Sequence, residues 1–389
     1  MINIEVKGVQ FSNKGAELML IAILQQLDTQ IEEYNLVLSP GANLPYKKRA
    51  VLGAYQKLSL RRGPFDFTGL FGLLPNAFKK LLKRYGIITE SDVDVILNAS
   101  GFSYGDQWPV NDLENTAKEV ARFNKYGKPY IVLPQALGPF DKARHAKAAE
   151  ILINKSRLVF ARDEASFDAC EKLNKEGSLI RSPDFTALIE PEHVEPFEKK
   201  TVCFIPNNKM ISKYNHKDAV NSADVYIGFW CNLAAYFNGK GFEVVLLNHE
   251  GAEDKALCEQ IIAKSPCDIR LVDSLGAIEI KEYIGRCQAL VSSRFHGCVS
   301  ALSQGIPCLA TSWSHKYEML FEEYGLINNV LNYLDSDEVI DKQLAIFINE
   351  LEQQKELSLR HAQKVKSENK DMWRKVITEV KDYKSQVKN

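Results

Sequence analysis

Short runs of apolar residues alternate with amphipathic segments along most of the chain. Spacings of three residues place Leu18, Ile21 and Leu24 on one face and predict a helix over 14–27. Compact apolar runs predict buried strands. In the first half, the strands are expected at 2–6, 35–39, 92–98, 129–134, 157–161 and 178–181, and the helices at 14–27, 111–126, 141–154 and 163–173. This alternation predicts a mostly parallel sheet with helices on both faces.

A second alternating set follows a stretch without apolar periodicity. Residues 189–200 hold two prolines and several charges, which predicts a linker. Beyond it, strands are expected at 201–206, 242–248, 268–272, 287–293 and 307–311, and helices at 222–238, 253–264, 276–284, 295–304 and 315–324. Residues 337–385 are rich in Glu, Lys and Gln and predict one or two long helices.

The pattern as a whole predicts an α/β fold with two Rossmann-like domains that face each other across a cleft, followed by C-terminal helices. The expected ranges are 1–190 for the first domain, 191–200 for the linker, 201–335 for the second domain and 336–389 for a helical extension. Ligands of open α/β sheets bind beyond the carboxyl ends of the strands. Candidate site residues are therefore sought in the loops that follow strands.

Composition narrows the class of protein. The 389 residues are 45% hydrophobic and 25% charged, with a net charge of −1, which offers no electrostatic case for nucleic-acid binding. We expect no signal peptide, because the first residues lack a basic segment followed by an apolar one. We also expect no membrane-spanning helix, because the sequence contains no run of about 18 apolar residues. The eight cysteines form no C-x-x-C pair, which favours reduced thiols in a cytoplasmic protein.

The most informative loop follows the predicted strand 287–293. Arg294 and His296 are expected in the first turn of the next helix, which Ser292 or Ser293 can cap. An arginine is a permanent cation that can hold an oxyanion, and a histidine is well suited to donate a proton near neutral pH. The structural alternatives are an ion pair for Arg294 and a capping or hydrogen-bonded histidine. Their joint placement favours a functional site.

Other strand-to-helix junctions carry further candidates. Arg162 follows strand 157–161, where free N–H groups of a helix start favour anions, although a surface pair with the next acidic residues, 163 and 164, explains it equally well. Lys316 occupies the junction after strand 307–311. Asn13 and Lys14 follow the first strand, where Asn13 can also be a simple N-cap. Three such junctions supply Arg162, Arg294 and Lys316, and a cleft that receives these cations would hold a small polyanion.

Two loops of the first half are candidates for substrate contact. The loop 98–108 contains Ser100 and Gly101, and small residues let a ligand approach the backbone closely, although a plain turn is the alternative. Gln135 follows strand 129–134 and is able to bond a sugar hydroxyl.

Two metal motifs are weak. Residues 92–94 read Asp-Val-Asp, which resembles a metal–nucleotide motif of another transferase class, but alternation along a strand explains it better. His296 and Cys298 are close in sequence, yet no second pair stands at zinc-ligand spacing. We therefore expect no metal site.

The junction sequences resemble those of polysaccharide pyruvyl transferases. The segment SSRFHGCVSALSQGIPCLATSWSHKYEMLFEEYG, residues 292–325, resembles the C-terminal signature of that family, in which an Arg-x-His motif precedes a helix, a Gly-x-Pro, a short strand and a lysine-bearing segment. Looser similarity is seen at NKGAELML (13–20), ASG (99–101), LGPF (137–140) and ARDEAS (161–166). Where relatives often have three glycines, this chain has Asn98-Ala99-Ser100-Gly101.

The resemblance implies a two-domain architecture similar to GT-B glycosyltransferases and a transfer of pyruvate from phosphoenolpyruvate to two hydroxyls of one sugar, which yields a cyclic ketal and free phosphate. It implies no metal or organic cofactor, an acceptor side in the first domain and a donor side in the second. His296 is the expected general acid and Arg294 the expected holder of the donor phosphate or carboxylate. Further donor contacts would be Arg162, Lys316 and Ser293, and acceptor or loop contacts would be Asn13, Lys14, Ser100, Gly101 and Gln135.

Two other functions stay open. One is a GT-B glycosyltransferase that uses a nucleotide sugar. The other is a non-catalytic carbohydrate- or phosphate-binding protein, whose stacking aromatics would be Tyr104, Trp108, Tyr214 and Trp313.

The family's acceptors, precursors of cell-wall, capsular or exopolysaccharide that are often lipid-linked, imply a cytoplasmic enzyme that can touch the inner face of the membrane. The basic stretches 47–63 and 78–86 are candidates for that contact, and solvated amphipathic helices are the alternative.

Overall fold

The protein is described by a computed structural model that covers residues 1–62, 65–192, 194–212, 222–312 and 314–388. Its contacts divide the chain into two compact units. The first comprises Met1–Ser12, Met19–Phe185 and Glu368–Asn389, and the second Asn13–Leu18 and Thr186–Ser367. This division differs from the contiguous ranges expected from sequence, because packing assigns residues 13–18 to the second unit and the end of the chain to the first.

The first unit is built on an eight-stranded parallel sheet with the order β10-β9-β8-β7-β1-β2-β3-β6. The strands up to residue 185 are β1 Ile2–Lys7, β2 Tyr34–Leu38, β3 Tyr55–Lys57, β4 Arg61–Arg62, β5 Phe65–Asp66, β6 Ile87–Ile88, β7 Val95–Asn98, β8 Tyr130–Gln135, β9 Leu158–Ala161 and β10 Leu179–Arg181, of which β4 and β5 form a separate antiparallel pair. The helices are α1 Lys14–Gln30, α2 Tyr46–Val51, α3 Asn76–Arg84, α4 Val110–Lys125, α5 Ala143–Lys155 and α6 Glu164–Glu171, with 3₁₀ turns at Thr68–Leu73, Glu90–Asp92 and Phe185–Leu188.

The second unit contains a six-stranded parallel sheet with the order β13-β12-β11-β14-β15-β16. Its strands are β11 Thr201–Ile205, β12 Glu243–Leu247, β13 Arg270–Val272, β14 Ala289–Ser292, β15 Cys308–Thr311 and β16 Val330–Leu331. The helices are α7 Ser222–Gly239, α8 Gly251–Lys264, α9 Ala277–Gly285, α10 Phe295–Leu302, α11 Lys316–Glu323, α12 Asp337–Asn349 and α13 Leu351–Lys388, with 3₁₀ turns at Asn208–Ile211 and Ile327–Asn329. The chain order reverses at β11, which places a crevice between β11 and β14 at their carboxyl ends.

Burial on both faces explains why the strands are apolar throughout. Along β11, Val202 and Phe204 join a core cluster with Trp230 of α7, whereas Cys203 and Ile205 join the cluster on the opposite face. Side chains alternate along a strand, so a sheet covered by helices on both sides needs apolar residues at every position. The two parallel α/β sheets and the C-terminal helices confirm the predicted fold class, while the cleft between the domains stays a prediction.

The cysteines are free, and all except Cys267 are buried. Among the described residues, no helix is long and apolar enough to cross a membrane.

The sequence interpretation of residues 92–94 is wrong. Strand β7 begins only at Val95, so Asp92 and Asp94 do not alternate along a strand. Asp92 ends a 3₁₀ turn, where its carboxylate accepts hydrogen bonds from the backbone N and the hydroxyl of Thr89 at 2.9 and 2.7 Å. Asp94 accepts from the backbone N of Asn3 at 2.8 Å. Both carboxylates therefore brace the start of the strand.

Candidate functional site

The candidate site lies in the second unit, at the carboxyl ends of the central strands β11, β12 and β14. The backbone N of Ser293 donates to the carbonyl oxygen of Ile205 at 2.8 Å, which joins the loops after β14 and β11. The amide of Asn207 in the β11 loop donates to the carbonyl oxygen of Ser293 at 3.0 Å. These bonds fix the backbone that carries Arg294 at the point where the strand order reverses.

Arg294 does not occupy the first helical turn as expected. It is the residue before α10, in an extended conformation, and the helix begins at Phe295. Ser292 Oγ accepts from the backbone N of Arg294 at 3.0 Å, so this serine braces the loop rather than the helix start.

Two carboxylates hold the guanidinium of Arg294. Its Nε and Nη2 donate to Oδ2 of Asp254 at 2.9 and 2.5 Å, and its Nη1 donates to Glu250. Arg294 is only 8% exposed. Burial by itself lowers the pKa of the guanidinium, but Asp254 and Glu250 outweigh that effect and raise the pKa. The ion-pair alternative is thus observed, and Arg294 stays a fixed cation.

Both carboxylates come from the loop and first turn after β12. Glu250 precedes α8 directly, and Asp254 lies in the first turn, where its Oδ1 accepts from the backbone N of Asn208 at 3.0 Å. The side chain of Asp254 is 1% exposed and that of Glu250 is 23% exposed. Asp254 is therefore a buried anchor for Arg294, and Glu250 is a partner that solvent reaches.

The first turn of α1 also contributes to this unit. Asn13 caps the helix, because its Oδ1 accepts from the backbone N of Ala16 at 3.0 Å, and its Nδ2 donates to Glu250 at 3.1 Å. Lys14 pairs with Glu17 at 2.7 Å. The N-cap interpretation of Asn13 is correct, and its amide additionally bonds a carboxylate of the site.

His296 is the least buried residue of its segment, although its Nε2 is itself buried. Every other residue of 291–300 is buried, whereas His296 is half-buried in the first turn of α10. Its ring packs edge-on against Phe295, with centroids 5.5 Å apart. A Cβ added at Gly15 would fall 2.7 Å from Cγ of His296 and closer still to Nδ1. Only a glycine at position 15 leaves room for the imidazole.

Ser293 is a positioning residue in this structure. Its side chain is fully buried, and its hydroxyl bonds Tyr226 at 2.6 Å and Thr311 at 2.5 Å. The hydroxyl of Tyr317 donates to its carbonyl oxygen at 2.7 Å. The network ties β14, β15 and α7 together beneath Arg294.

Lys316 belongs to the same strand-end region. It begins α11, and its Nζ lies 5.4 Å from the ring centroid of Phe295 and 5.5 Å from that of Tyr317. A cation over aromatic faces gains stability from the ring quadrupole. The neighbouring His315 is exposed at the N-cap of α11.

Sequence reasoning missed His249, Glu250 and Asp254. His249 is 5% exposed, and its Nδ1 has no hydrogen-bond partner among the described residues. Burial, and then the charges of Arg294, His296 and Lys14, hold its pKa well below the usual value, so the ring is neutral. The segment HEGAED, residues 249–254, follows an apolar strand, and the rule that selected the other loops would have found it.

Four predicted site residues lie in the first unit instead. Ser100 and Gly101 follow β7, and Gly8, with a φ of +80°, lets the loop after β1 pass close to Ser100. Ser100 Oγ donates to Oδ1 of Asn98 at 2.6 Å, and Nδ2 of Asn98 donates to the hydroxyl of Tyr104 at 3.0 Å. The loop is therefore braced from within, and Tyr104 serves this brace.

Gln135 and Arg162 end β8 and follow β9. Gln135 is fully buried, and its Oε1 has no hydrogen-bond partner among the described residues. Arg162 is 5% exposed, and its Nη1 lies 3.3 Å from Oδ2 of Asp184. A surface pair with the following acidic residues is the wrong alternative, because Asp163 caps α6 and Glu164 lies 3.5 Å from Arg181.

Of the other aromatic candidates, the structure describes Trp108. Trp108 packs edge-on against Phe102, with centroids 5.7 Å apart. Tyr214 and Trp313 lie outside the described residues. No group of three or more His, Cys, Asp or Glu in the described ranges is arranged to hold a metal ion.

The arrangement in the second unit combines a fixed cation, a second cation beside aromatic rings, a neutral buried histidine and a half-buried histidine. Cations bind the oxygens of a phosphate or carboxylate, and an imidazole next to a bound molecule can exchange a proton with it. The site can therefore hold a small anion and protonate it.

Comparisons with known proteins show the family to which this chain belongs. A family model described as polysaccharide pyruvyl transferase matches residues 13–315. Solved structures with a similar fold include a UDP-N-acetylglucosamine 2-epimerase of Neisseria meningitidis bound to UDP-GlcNAc (10% identity, 95% of this chain and 99% of that chain, TM-score 0.55).

Two further structures are the spinosyn forosaminyltransferase SpnP (12% identity, 97% and 99%, TM-score 0.54) and MurG of Acinetobacter baumannii (9% identity, 97% and 99%, TM-score 0.53). At such identities the likeness shows the GT-B fold alone.

Proposed function

We propose that this chain, which belongs to the polysaccharide pyruvyl transferase family and is a transferase, moves pyruvate from phosphoenolpyruvate to two hydroxyls of a sugar in a polysaccharide precursor. The observation that carries the proposal is the pair formed by a buried, carboxylate-anchored Arg294 and a half-buried His296 at the reversal point of the second sheet. The donor has a phosphate, a carboxylate and a methylene carbon; Arg294 can hold one of the two anionic groups, and His296 can protonate the methylene carbon.

The reaction requires one proton at carbon. His296 donates a proton to the methylene carbon C3 of the donor, which makes C2 electrophilic. One sugar hydroxyl attacks C2, and the C2–O bond to phosphate then breaks. The second hydroxyl closes the ring. Of the two hydroxyl protons, one replaces the proton spent at C3 and the other leaves with the phosphate, so the products are the cyclic ketal and inorganic phosphate.

Arg294 is the proposed holder of the donor anion. Asp254 fixes one edge of the guanidinium, and the Nη1 side faces Glu250, whose side chain is 23% exposed. A bound phosphate or carboxylate would take the place of Glu250, the partner that can move into solvent. Lys316 is the second proposed anion contact, and Ser293 positions the loop. Asn13, Lys14, Ser100, Gly101, Gln135 and Arg162 keep their proposed roles as substrate or loop contacts.

The test is phosphoenolpyruvate-dependent phosphate release, screened over free and lipid-linked galactose, glucose and mannosamine derivatives. Replacing His296 with Gln should lower the turnover number by about 10²–10⁴-fold, the usual contribution of a positioned acid. His315→Gln is the matched control, because His315 is exposed at the N-cap of a neighbouring helix. It should retain wild-type turnover.

Calorimetry separates this proposal from the two alternatives. Binding of phosphoenolpyruvate, and of no nucleotide sugar in a panel, is the expected result. Tight binding of a nucleotide sugar with turnover would favour a glycosyltransferase, and sugar or phosphate binding without turnover between pH 5 and 8 would favour a binding protein. Wild-type turnover in His296→Gln would rule out this histidine as the acid.

A further inference from the structure

Residues 46–85 expose an unusual amount of apolar surface. Of the twenty large hydrophobic side chains that are exposed in the described part of the chain, ten lie in this segment: Tyr46, Val51, Leu52, Leu60, Phe67, Leu70, Leu73, Phe78, Leu81 and Tyr85. They crowd into about a tenth of the sequence. Scattered exposed apolar residues are normal, whereas concentrated ones mark an interaction surface.

Helix α3 orders the central part of this surface. Phe78 lies three residues before Leu81 and four before Leu82, and Tyr85 follows these two leucines by four and three residues, which aligns them along one face of Asn76–Arg84 and its first following residue. No residue of α3 is buried, and Phe78, Leu81 and Tyr85 are 49%, 46% and 76% exposed. The apolar side chains of α3 are therefore exposed in the first unit.

The helix is held in place from its polar side. Nζ of Lys79 donates to the carbonyl oxygen of Gly72 at 2.6 Å and to the hydroxyl of Ser91 at 2.9 Å. The first bond joins α3 to the 3₁₀ turn Thr68–Leu73, whose Leu70 and Leu73 are 60% and 82% exposed. We call these two leucines, together with Phe78, Leu81 and Tyr85, the apolar face.

The charge around the apolar face is strongly positive. The segment 46–85 contains ten lysines and arginines and a single acidic residue, Asp66, although the whole chain has a net charge of −1. Two of the ten, Arg49 and Lys57, are buried, and Lys57 pairs with Glu5 and Glu119, so these two do not contribute to the surface. On α3 itself, Lys80, Lys83 and Arg84 are exposed beside the apolar face. A short helix with an outward apolar face and basic flanks is the pattern of a segment that lies in the interface of an anionic bilayer.

We propose that the apolar face and its basic flanks bind the surface of a membrane that contains anionic lipid. A second copy of this chain does not fit, because a symmetric dimer would bring two basic surfaces together. A bilayer supplies both an apolar layer for the leucine and aromatic side chains and negative headgroups for the lysines and Arg84. The proposal is independent of the chemistry at Arg294 and His296.

The experiment is co-sedimentation of the full chain with vesicles of phosphatidylcholine, with and without phosphatidylglycerol, over a series of salt concentrations. Wild type should bind the anionic vesicles, bind the neutral ones far more weakly, and lose binding as salt rises. A triple variant, K80Q/K83Q/R84Q, should bind the anionic vesicles on the order of 100-fold more weakly, since each basic residue near such a surface contributes about fivefold.

A second variant tests the apolar contribution. F78S/L81S should lose vesicle binding at all salt concentrations, while V339S/I346S, which alters two comparably exposed residues of α12, should bind like wild type. Circular dichroism and thermal melts verify folding, which these exposed substitutions should leave intact.

Three results would overturn the proposal. They are equal binding of wild type to neutral and anionic vesicles, absence of binding to either, and a dimer in light scattering that F78S/L81S abolishes without any effect of lipid.

Discussion

The most direct test of the site geometry is to remove the carboxylate of Asp254, which anchors Arg294. In Asp254→Asn the side chain keeps its shape but loses its charge, and its amide hydrogens then compete with the guanidinium for acceptors. The Nε and Nη2 bonds at 2.9 and 2.5 Å are weakened, and the cation stays 8% exposed. Breaking a buried pair by removing one partner costs about 3–5 kcal/mol. Because Glu250 remains beside Nη1, we expect a loss near the lower value, about 3 kcal/mol.

The companion variant Glu250→Gln makes the same chemical change to the other partner of Arg294. Its side chain is 23% exposed, so solvent screens the interaction, and we expect a loss below about 1 kcal/mol. If the donor anion replaces Glu250 on the guanidinium, this variant should also lower KM for phosphoenolpyruvate. Asp254→Asn should raise KM instead, because the guanidinium is then less well held.

The assay is urea denaturation followed by fluorescence and circular dichroism, with phosphate-release kinetics on the same samples. Asp224→Asn is the matched control, because Asp224 pairs with Lys264 at 2.6 Å on the surface of the same unit, with a side chain that is 88% exposed. It should leave the denaturation midpoint unchanged. Equal midpoints for Asp254→Asn and Asp224→Asn would refute the conclusion that Asp254 is a buried anchor.

Two further predictions concern the histidines. Gly15→Ala places a Cβ within 2.7 Å of Cγ of His296, and restoring a normal contact of about 3.5 Å needs a shift of about 1 Å, which should lower turnover about 100-fold with little loss of stability. The control is Gly228→Ala, at a helical glycine with open space around it, which should be neutral. Unchanged turnover in Gly15→Ala would contradict the packing of His296 against Gly15. Because the pKa of His249 is depressed in the folded state, the unfolded chain takes up a proton at this residue as pH falls below about 6.5, whereas the folded chain does not. The free energy of unfolding should therefore decrease from pH 7 to 5 by about 2 kcal/mol more in wild type than in His249→Asn. Parallel stability profiles for the two proteins would show that His249 titrates normally.

The local sequence pattern was sufficient to predict the strands and helices and to select part of the candidate site. Apolar runs and helical spacing predicted every strand that carries a site residue, and the rule that ligands bind at strand ends selected Arg294, His296 and Lys316, which the structure places in one unit. These features are short-range, because the backbone preference and the burial of a strand are encoded in consecutive residues.

Sequence by itself also determined the family, through the segment that carries Arg294 and His296. It could not determine what these side chains contact. The carboxylates that hold Arg294 lie 40 and 44 residues before it in the chain, and the glycine that makes room for His296 lies 281 residues before it. No periodicity links positions so far apart, because the contacts arise only when strands that are distant in sequence become neighbours in a sheet.

The tertiary structure alone decided which charges are fixed and which are available. Arg162 and Arg294 looked alike in sequence, each an arginine at a strand end, and both prove to be buried beside carboxylates that come from other elements. A surface arginine and a buried arginine carry the same charge, but removing the paired carboxylate is costly only for the buried one. A low-dielectric surrounding leaves an unpaired ion without solvation.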